Sequence, residues 1–283
     1  MIREYAEQGY NVIFTTSFGY MDPTITVAKD YPNIVFMHCS GYKTAENVGT
    51  YFGRMYQARY LTGIVAGMMT KTNKIGYVAA VPIPEVIRGI NAFALGVKKV
   101  NPNATVHVVW TGTWYDPAKE REAAESLISE GCDVIAQHQD SPAAQQAAQE
   151  HGVYSIGYNS DMYKFAPKAH LTAPIWNWSV IYDYVVENVM AGTWKSEEIW
   201  WGLKEGVVDI APFNEVVPED VRNMVLEEKE KFLNGEIPEQ YPFIGPVYDQ
   251  NGKLVKPEGE VMSDEELLSM NFFVDNVIGE IPK

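Results

Sequence analysis

Up to Tyr158 the chain alternates short β-branched, apolar runs with longer stretches of helical period. Residues 11–17 (NVIFTTS), 33–40 (NIVFMHCS), 74–81 (KIGYVAAV), 105–111 (TVHVVWT), 132–138 (CDVIAQH) and 153–158 (VYSIGY) predict strands. Residues 24–30, 47–70, 85–100, 118–130 and 143–151 predict the helices between them. Strands that are apolar throughout and separated by helices belong to a parallel sheet covered on both faces, so the expected class is α/β. Four junctions carry a proline at the helix start: Asp22-Pro23, Ile83-Pro84, Asp116-Pro117 and Ser141-Pro142. Asp22, Asp116 and Ser141 are then natural N-caps. All four junctions fall at carboxyl ends of strands, the rim where open α/β sheets bind ligands.

Beyond Tyr158 the pattern changes. Residues 170–175 (HLTAPI) predict a strand, and 180–190 a helix closed by Gly192. Residues 200–210 (WWGLKEGVVDI) predict a bent strand or hairpin pivoting on Gly206, and 218–234 a charged, exposed helix stopped by Gly235. Within residues 242–255, Gln250-Asn251-Gly252-Lys253 signals a type I′ hairpin. Residues 1–9 (MIREYAEQG) read as the tail of an amphipathic helix with Gly9 at C′, and contain no signal-peptide h-region.

Composition narrows the function classes. The 283 residues are 46% hydrophobic and 12% aromatic, enough for a sizeable core and against disorder. The net charge of −15 argues against nucleic acid and anionic membrane as partners. No apolar run approaches the ~18 residues of a spanning helix. Cys39 and Cys132 form neither a disulfide framework nor a metal motif and read as small buried hydrophobes.

Catalytic signatures are sparse. There is no GxGxxG after a strand, no Walker loop and no GxSxG elbow, and the histidines have no zinc spacing, so neither cofactor nor metal is expected. His138 and Asp140 could form an acid/base pair, the basis of an alternative reading as an enzyme. Aromatics at strand ends are more telling: Phe18 and Tyr20, Trp114 and Tyr115, Trp176 and Trp178. They pack lobe on lobe, or they stack on a planar heteroaromatic ligand whose edge Asp140, Asn159 and Asp161 read by hydrogen bonds.

Taken in order, residues 14–22 (FTTSFGYMD), 41–44 (GYKT), 60–67 (YLTGIVAG), 83–93 (IPEVIRGINAF), 114–119 (WYDPAK), 137–143 (QHQDSPA), 157–162 (GYNSDM) and 202–208 (GLKEGVV) resemble the BMP family. These are the basic-membrane-protein, PnrA-like substrate-binding lipoproteins of ABC transporters, and the likeness runs to about Asn214. It implies a type I periplasmic-binding-protein fold, with two doubly wound parallel-sheet lobes joined by crossover strands and closing on ligand. Lobe one is expected at 1–73 and 173–200, lobe two at 74–172 and 201–283. Family members deliver purine nucleosides or related small molecules to a membrane permease and perform no chemistry. The implied protein is a monomer, extracytoplasmic, either periplasmic or membrane-anchored. A ligand sensor reporting to a membrane partner is the alternative binding role, and a purine-processing hydrolase using His138 and Asp140 is the enzymatic alternative.

Two departures from the family pattern refine this expectation. Nucleoside-binding members carry aspartate where this chain has Asn159, and lysine where it has Trp176. Loss of that sugar clamp, with a stacking surface added and Asp140 replacing a glycine-rich turn, implies a free nucleobase, adenine above all. The ligand-binding set is therefore Phe18, Tyr20, Trp114, Asp140, Asn159, Asp161 and Trp176. The family's signal peptide, lipobox cysteine, first strand and Gly-Asp-x-Gly-aromatic loop are not seen here. A first lobe lacking its first βα unit, with an uncovered sheet edge, is expected: an incomplete or mis-started chain, or a degenerate member with weakened binding.

Overall fold

The computed structural model describes residues 1–282 as two compact units, Met1–Arg54 with Asn177–Val207 and Met55–Trp176 with Val208 onward. In the first unit, α1 (Ile2–Glu7), β1 (Val12–Thr15), α2 (Met21–Ala28), β2 (Val35–Cys39) and β3 (Val48–Gly53) are joined late in the chain by α7 (Ser179–Ala191) and β10 (Glu198–Trp201). Its sheet runs β1-β2-β3-β10, all parallel. Ala6, Ile13, Val27, Ala28, Phe36 and Val48 form the core under α1 and α2. On the other face Phe14 and Tyr51 meet Tyr182 of α7, with ring centroids 4.7 and 5.9 Å away.

The second unit contains α3 (Met55–Met69), β4 (Lys74–Ala79), α4 (Pro84–Val100), β5 (Thr105–Trp110), α5 (Pro117–Ser129), β6 (Val134–Gln137), α6 (Ala143–Glu150), β7 (Tyr154–Ile156), β8 (His170–Thr172) and β9 (Pro174–Trp176). After the chain returns come β11 (Val208–Ile210), α8 (Glu219–Leu233), β12 (Val247–Tyr248), β13 (Leu254–Lys256), α9 (Asp264–Leu268) and β14 (Val277–Ile278). The main sheet has the order β14-β5-β4-β6-β7-β8 and is parallel throughout. Alternate residues of β4 face opposite helical layers: Gly76 lies against Leu127 of α5, and Tyr77 against Phe93 of α4. The full burial of β4 past Lys74 and of β6 is the pattern expected of a doubly covered parallel sheet.

Most expected elements form, and the exceptions have physical causes. Residues 47–70 are not one helix: β3 precedes α3 with only Arg54 between them. The chain passes directly from one unit to the other at that junction, where Gly53 closes the strand. Helix α3, expected with lobe one, packs along α4 in the second unit. Residues 200–210 are not a hairpin. β10 pairs with β3 and β11 pairs antiparallel with β9, so the two strands belong to different units, and Gly206 (φ +80°) makes a local turn between them. The hairpin β12–β13 exists, but its turn is not type I′, since Asn251 keeps negative φ while Gly252 alone is left-handed (φ +74°). Asp249 instead accepts from the Asn251 and Lys253 amides at 2.8 and 3.0 Å.

Capping also shows where local signals hold. Asp116 caps α5, accepting from the Lys119 amide at 3.2 Å with Pro117 at N1. Asp22 lies inside the first turn of α2 instead of capping it, and Ser141 precedes the cap position of α6, where its hydroxyl accepts from the Ala143 amide at 3.2 Å. Asp116→Ala is expected to cost about 1 kcal/mol, a fall of roughly 2–4 °C in the melting temperature measured by calorimetry. The acidic helix α8 is not exposed all round: Val221, Val225, Glu228 and Phe232 are buried. Glu228 accepts from Tyr60 (2.8 Å), Lys99 (2.5 Å) and Lys231 (2.7 Å). Cys39 and Cys132 are buried and unbridged, as small hydrophobes should be.

Candidate functional site

On the first unit, β1 ends in a short turn, Phe18–Tyr20, that leaves Phe18 and Tyr20 about two-fifths exposed, 42% and 39%. Large aromatics held in water at a strand end offer stacking surface. His38, at the end of β2, fixes this turn: its Nε2 lies 2.9 Å from the Ser17 carbonyl oxygen. The loop after β2 must pass close to that imidazole, since a Cβ at Gly41 would stand 1.9 Å from His38 Nδ1. Lys43 on the same loop pairs with Asp22 at 2.6 Å.

On the second unit the ends of β5, β6, β7 and β9 converge. The Asp140 amide donates to the Trp114 carbonyl at 3.1 Å, which joins the loops after β5 and β6. Asn159, after β7, donates from Nδ2 to Asp140 Oδ1 at 2.8 Å and accepts from Trp176 Nε1 at 2.9 Å. Trp114, Asp140, Asn159 and Trp176, four of the candidates, are thus one connected group. Asp161 is not: its Oδ1 accepts from the Tyr163 amide at 2.9 Å and lies 3.5 Å from His170 Nε2.

Buried polar residues hold this rim from behind. Gln137 donates from Nε2 to the carbonyls of Gln139 and Ser141, at 2.9 and 2.8 Å, which shapes the turn carrying His138 and Asp140. Gln145 donates to Gln137 Oε1 at 3.0 Å and to the Ile156 carbonyl at 2.9 Å. Glu120 accepts from the Ser141 hydroxyl and from the Asp116 amide, tying the Trp114 loop to the same turn. Its burial raises the carboxyl pKa, while the Ser141 hydrogen bond acts to lower it. Gln137 stands at the edge of an apolar run, in VIAQHQDS (134–141), whereas Gln145 and Glu120 lie within helices and carry no such signal.

His138 and Asp140 make no acid/base pair: no hydrogen bond joins them. The His138 ring lies 4.5 Å from that of Tyr158 and 5.9 Å from that of Trp114, with Nε2 at 3.6 Å from Glu85 Oε1. Burial, aided by Arg59, lowers its pKa to about 4, so the imidazole is neutral at pH 7. Asp140 keeps a solvent-facing side, but the packing behind it raises its pKa; the Asn159 hydrogen bond lowers it and the Glu85 carboxylate raises it. Arg59, 2% exposed, lies 4.1 Å from the centre of the Tyr158 ring and donates to the Gln137 carbonyl at 3.1 Å. Sequence reasoning missed Glu85 and Arg59, because each reaches the rim from a helix.

The buried histidines make the second unit acid-sensitive. Burial holds His170, like His138, at a pKa of about 4 against about 6.5 for free imidazole. Between those values the unfolded chain binds protons that the folded chain refuses. Stability is full above pH 6.5 and falls as the pH drops toward 4, by on the order of 3 kcal/mol for each histidine. Urea unfolding at pH 7.5, 5.5 and 4.5 should show this decline, and His170→Asn should flatten it. An unchanged slope in that variant would assign the decline to other groups.

Among the described residues, no cluster of His, Cys, Asp or Glu is arranged to hold a metal, and no helix is long and apolar enough to cross a membrane. The doubly wound sheets with functional groups at their strand ends are those of type I periplasmic binding proteins. An ABC transporter solute-binding protein from Conexibacter woesei is 26% identical with a TM-score of 0.69, over 84% of this chain and 81% of that one. A solute-binding protein from Aeropyrum pernix shares the fold, with a TM-score of 0.71 at 21% identity over 83% and 79% of the two chains. The chain belongs to the Bmp family of PnrA-like ABC transporter substrate-binding proteins, matched over residues 1–251. Purine-binding protein BAB2_0673 of Brucella abortus is 46% identical over 282 residues, all of this chain and 79% of that protein. TsgA13 of Haloferax volcanii, which carries a provisional name as an ABC transporter glucose-binding protein, is also 46% identical, over all of this chain and 69% of its own length. The chain is therefore a substrate-binding protein of the ABC transporter class: it binds a small molecule for a membrane permease, outside the cytoplasm.

Proposed function

We propose that the ligand is a purine, and that a free, adenine-like base is preferred to a nucleoside. The observation that carries this reading is the hydrogen-bonded run Asp140–Asn159–Trp176 at the strand ends of the second unit. It sets a carboxylate acceptor beside an indole, so N–H groups on the edge of a flat ring meet Asp140 while the ring stacks on an aromatic face. Glu85, near His138, adds a second acceptor and favours a donor-rich edge such as that of an aminopurine. Trp114 belongs to the same rim, and Phe18 and Tyr20 are the proposed stacking residues of the first unit. The purine-binding name of the Brucella relative supports the ligand class. The protein is proposed to be a membrane-anchored lipoprotein, monomeric, that serves a permease and carries out no chemistry on the ligand.

Calorimetric titration with adenine, adenosine, guanine, inosine and glucose tests the reading. Adenine is expected to bind most tightly. Tighter binding of adenosine would overturn the preference for the base, and tighter binding of glucose would overturn the purine assignment in favour of the activity in the name of TsgA13. Incubation with adenosine is expected to release neither base nor ammonia; turnover would show an enzyme.

A further inference from the structure

Asn159 adopts a backbone conformation that few residues tolerate and that asparagine accepts, with φ at +67°. It bridges to Ile175 in parallel pairing, and its carbonyl accepts from the Trp176 amide at 3.2 Å. Its carboxamide is engaged at both ends. The indole N–H of Trp176 is only a donor, so it requires the amide oxygen, and the Asp140 carboxylate requires the amide nitrogen. Two hydrogen bonds of opposite polarity thus fix which way the amide points. Both partners are groups to which the proposed function gives a direct part in binding.

We infer that Asn159 is a positioning residue: it holds the Asp140 carboxylate and the Trp176 indole in fixed orientation and does not read the ligand itself. The Asp140 oxygen that Asn159 does not engage, Oδ2, is then the acceptor turned toward the ligand. Its surroundings explain why a holder is needed. The carboxylates of Glu85 on α4 and Glu120 on α5 act electrostatically on Asp140, burial keeps the Tyr158 hydroxyl beyond β7 neutral, and the Asn159 amide is the donor opposing the two carboxylates. Without that donor the carboxylate turns away or takes up a proton, and the ligand loses its acceptor.

The inference rests on the purine reading, and the experiment separates the two. Asn159→Gly keeps the left-handed backbone free of strain and removes only the carboxamide. Asn159→Asp keeps the acceptor for Trp176 but sets a second carboxylate against Asp140. Titrated with adenine between pH 5 and 8, the native protein should bind evenly from pH 6 to 8. Asn159→Gly should bind about tenfold or more weakly throughout. Asn159→Asp should bind poorly at pH 8 and recover toward pH 5, where one proton shared by the two carboxylates restores a donor to Asp140. Native-like binding by Asn159→Gly, or a flat pH profile for Asn159→Asp, would overturn the inference, since a merely structural role leaves the profiles parallel. A second measurement needs no ligand. The Trp176 indole N–H resonance should follow the titration of Asp140 through the Asn159 amide, and should cease to follow it in Asn159→Gly. If the native protein fails to bind adenine while the indole behaves this way, the purine reading falls and the positioning role stands. An indole that ignores the titration overturns the positioning role whatever the ligand.

Discussion

Gly63→Val is expected to lower the melting temperature by roughly 6–12 °C. Helices α3 and α4 approach so closely that a Cβ at Gly63 would stand 2.1 Å from the Phe93 carbonyl oxygen. Across the same contact, a Cβ at Gly96 would stand 2.2 Å from the Tyr60 carbonyl oxygen, and one at Gly67 would stand 2.9 Å from that of Val97. The obstructing atoms belong to helix backbones and have no rotamer to escape into. The helices must therefore separate, and the buried face of α3 loses its packing. Overpacking of this kind costs about 3 kcal/mol, and a domain of this size loses roughly 2–4 °C per kcal/mol. Calorimetry is the check, and a melting temperature within about 2 °C of the native protein would refute the close-contact account.

Asp140→Ala is expected to weaken adenine binding by roughly 10- to 150-fold while leaving the fold nearly unchanged. A hydrogen bond to a charged group is worth about 1.5–3 kcal/mol, and each 1.4 kcal/mol is tenfold in affinity. The carboxylate is the acceptor that the strand ends hold out to solvent, and within the protein its side chain accepts from the Asn159 amide. Removing it leaves the Asn159 amide free to bond water, so the melting temperature should move by no more than that of an ordinary surface substitution. Titration beside a thermal scan separates the two effects. An unchanged affinity would remove Asp140 from the site, and a large loss of stability would make it a structural residue.

The two substitutions differ in how far the sequence foretells them. Asp140 and Trp114 are legible because each follows an apolar strand and precedes a proline-started helix, and strand ends are where such sheets bind ligands. The segment that contains Gly63 and Gly67 is recognisable as a family motif, but its reason is not. Glycine within a helix looks merely unfavourable until the second helix is in place. Asp161 and Glu85 show the opposite failure. Asp161 lies in the expected loop, yet its carboxylate turns to the Tyr163 amide and His170, whereas Glu85 reaches the rim from the first turn of α4. Asn159 was expected to read the ligand edge. Its hydrogen bonds to Asp140, 19 residues away, and to Trp176, 17 residues away, are the ground for the positioning role proposed for it.

Periodicity and junction chemistry alone determined the α/β class, most of the elements and the rim on which the candidates lie, because strand burial, proline at N1 and aspartate at the cap are local preferences written within a few residues. Ordered motifs determined the family for the same reason: they preserve local segments. Tertiary structure decided that β10 and β11 part company, that α3 belongs with α4, and which carboxylates gather at the strand ends of the second unit. Those outcomes depend on ladders and side-chain hydrogen bonds between residues far apart in sequence, such as Trp200 pairing with Phe52 or Arg59 reaching the Gln137 carbonyl. Such pairings are chosen by the packing of the assembled sheet, where a buried polar group must find its partner wherever the fold brings one.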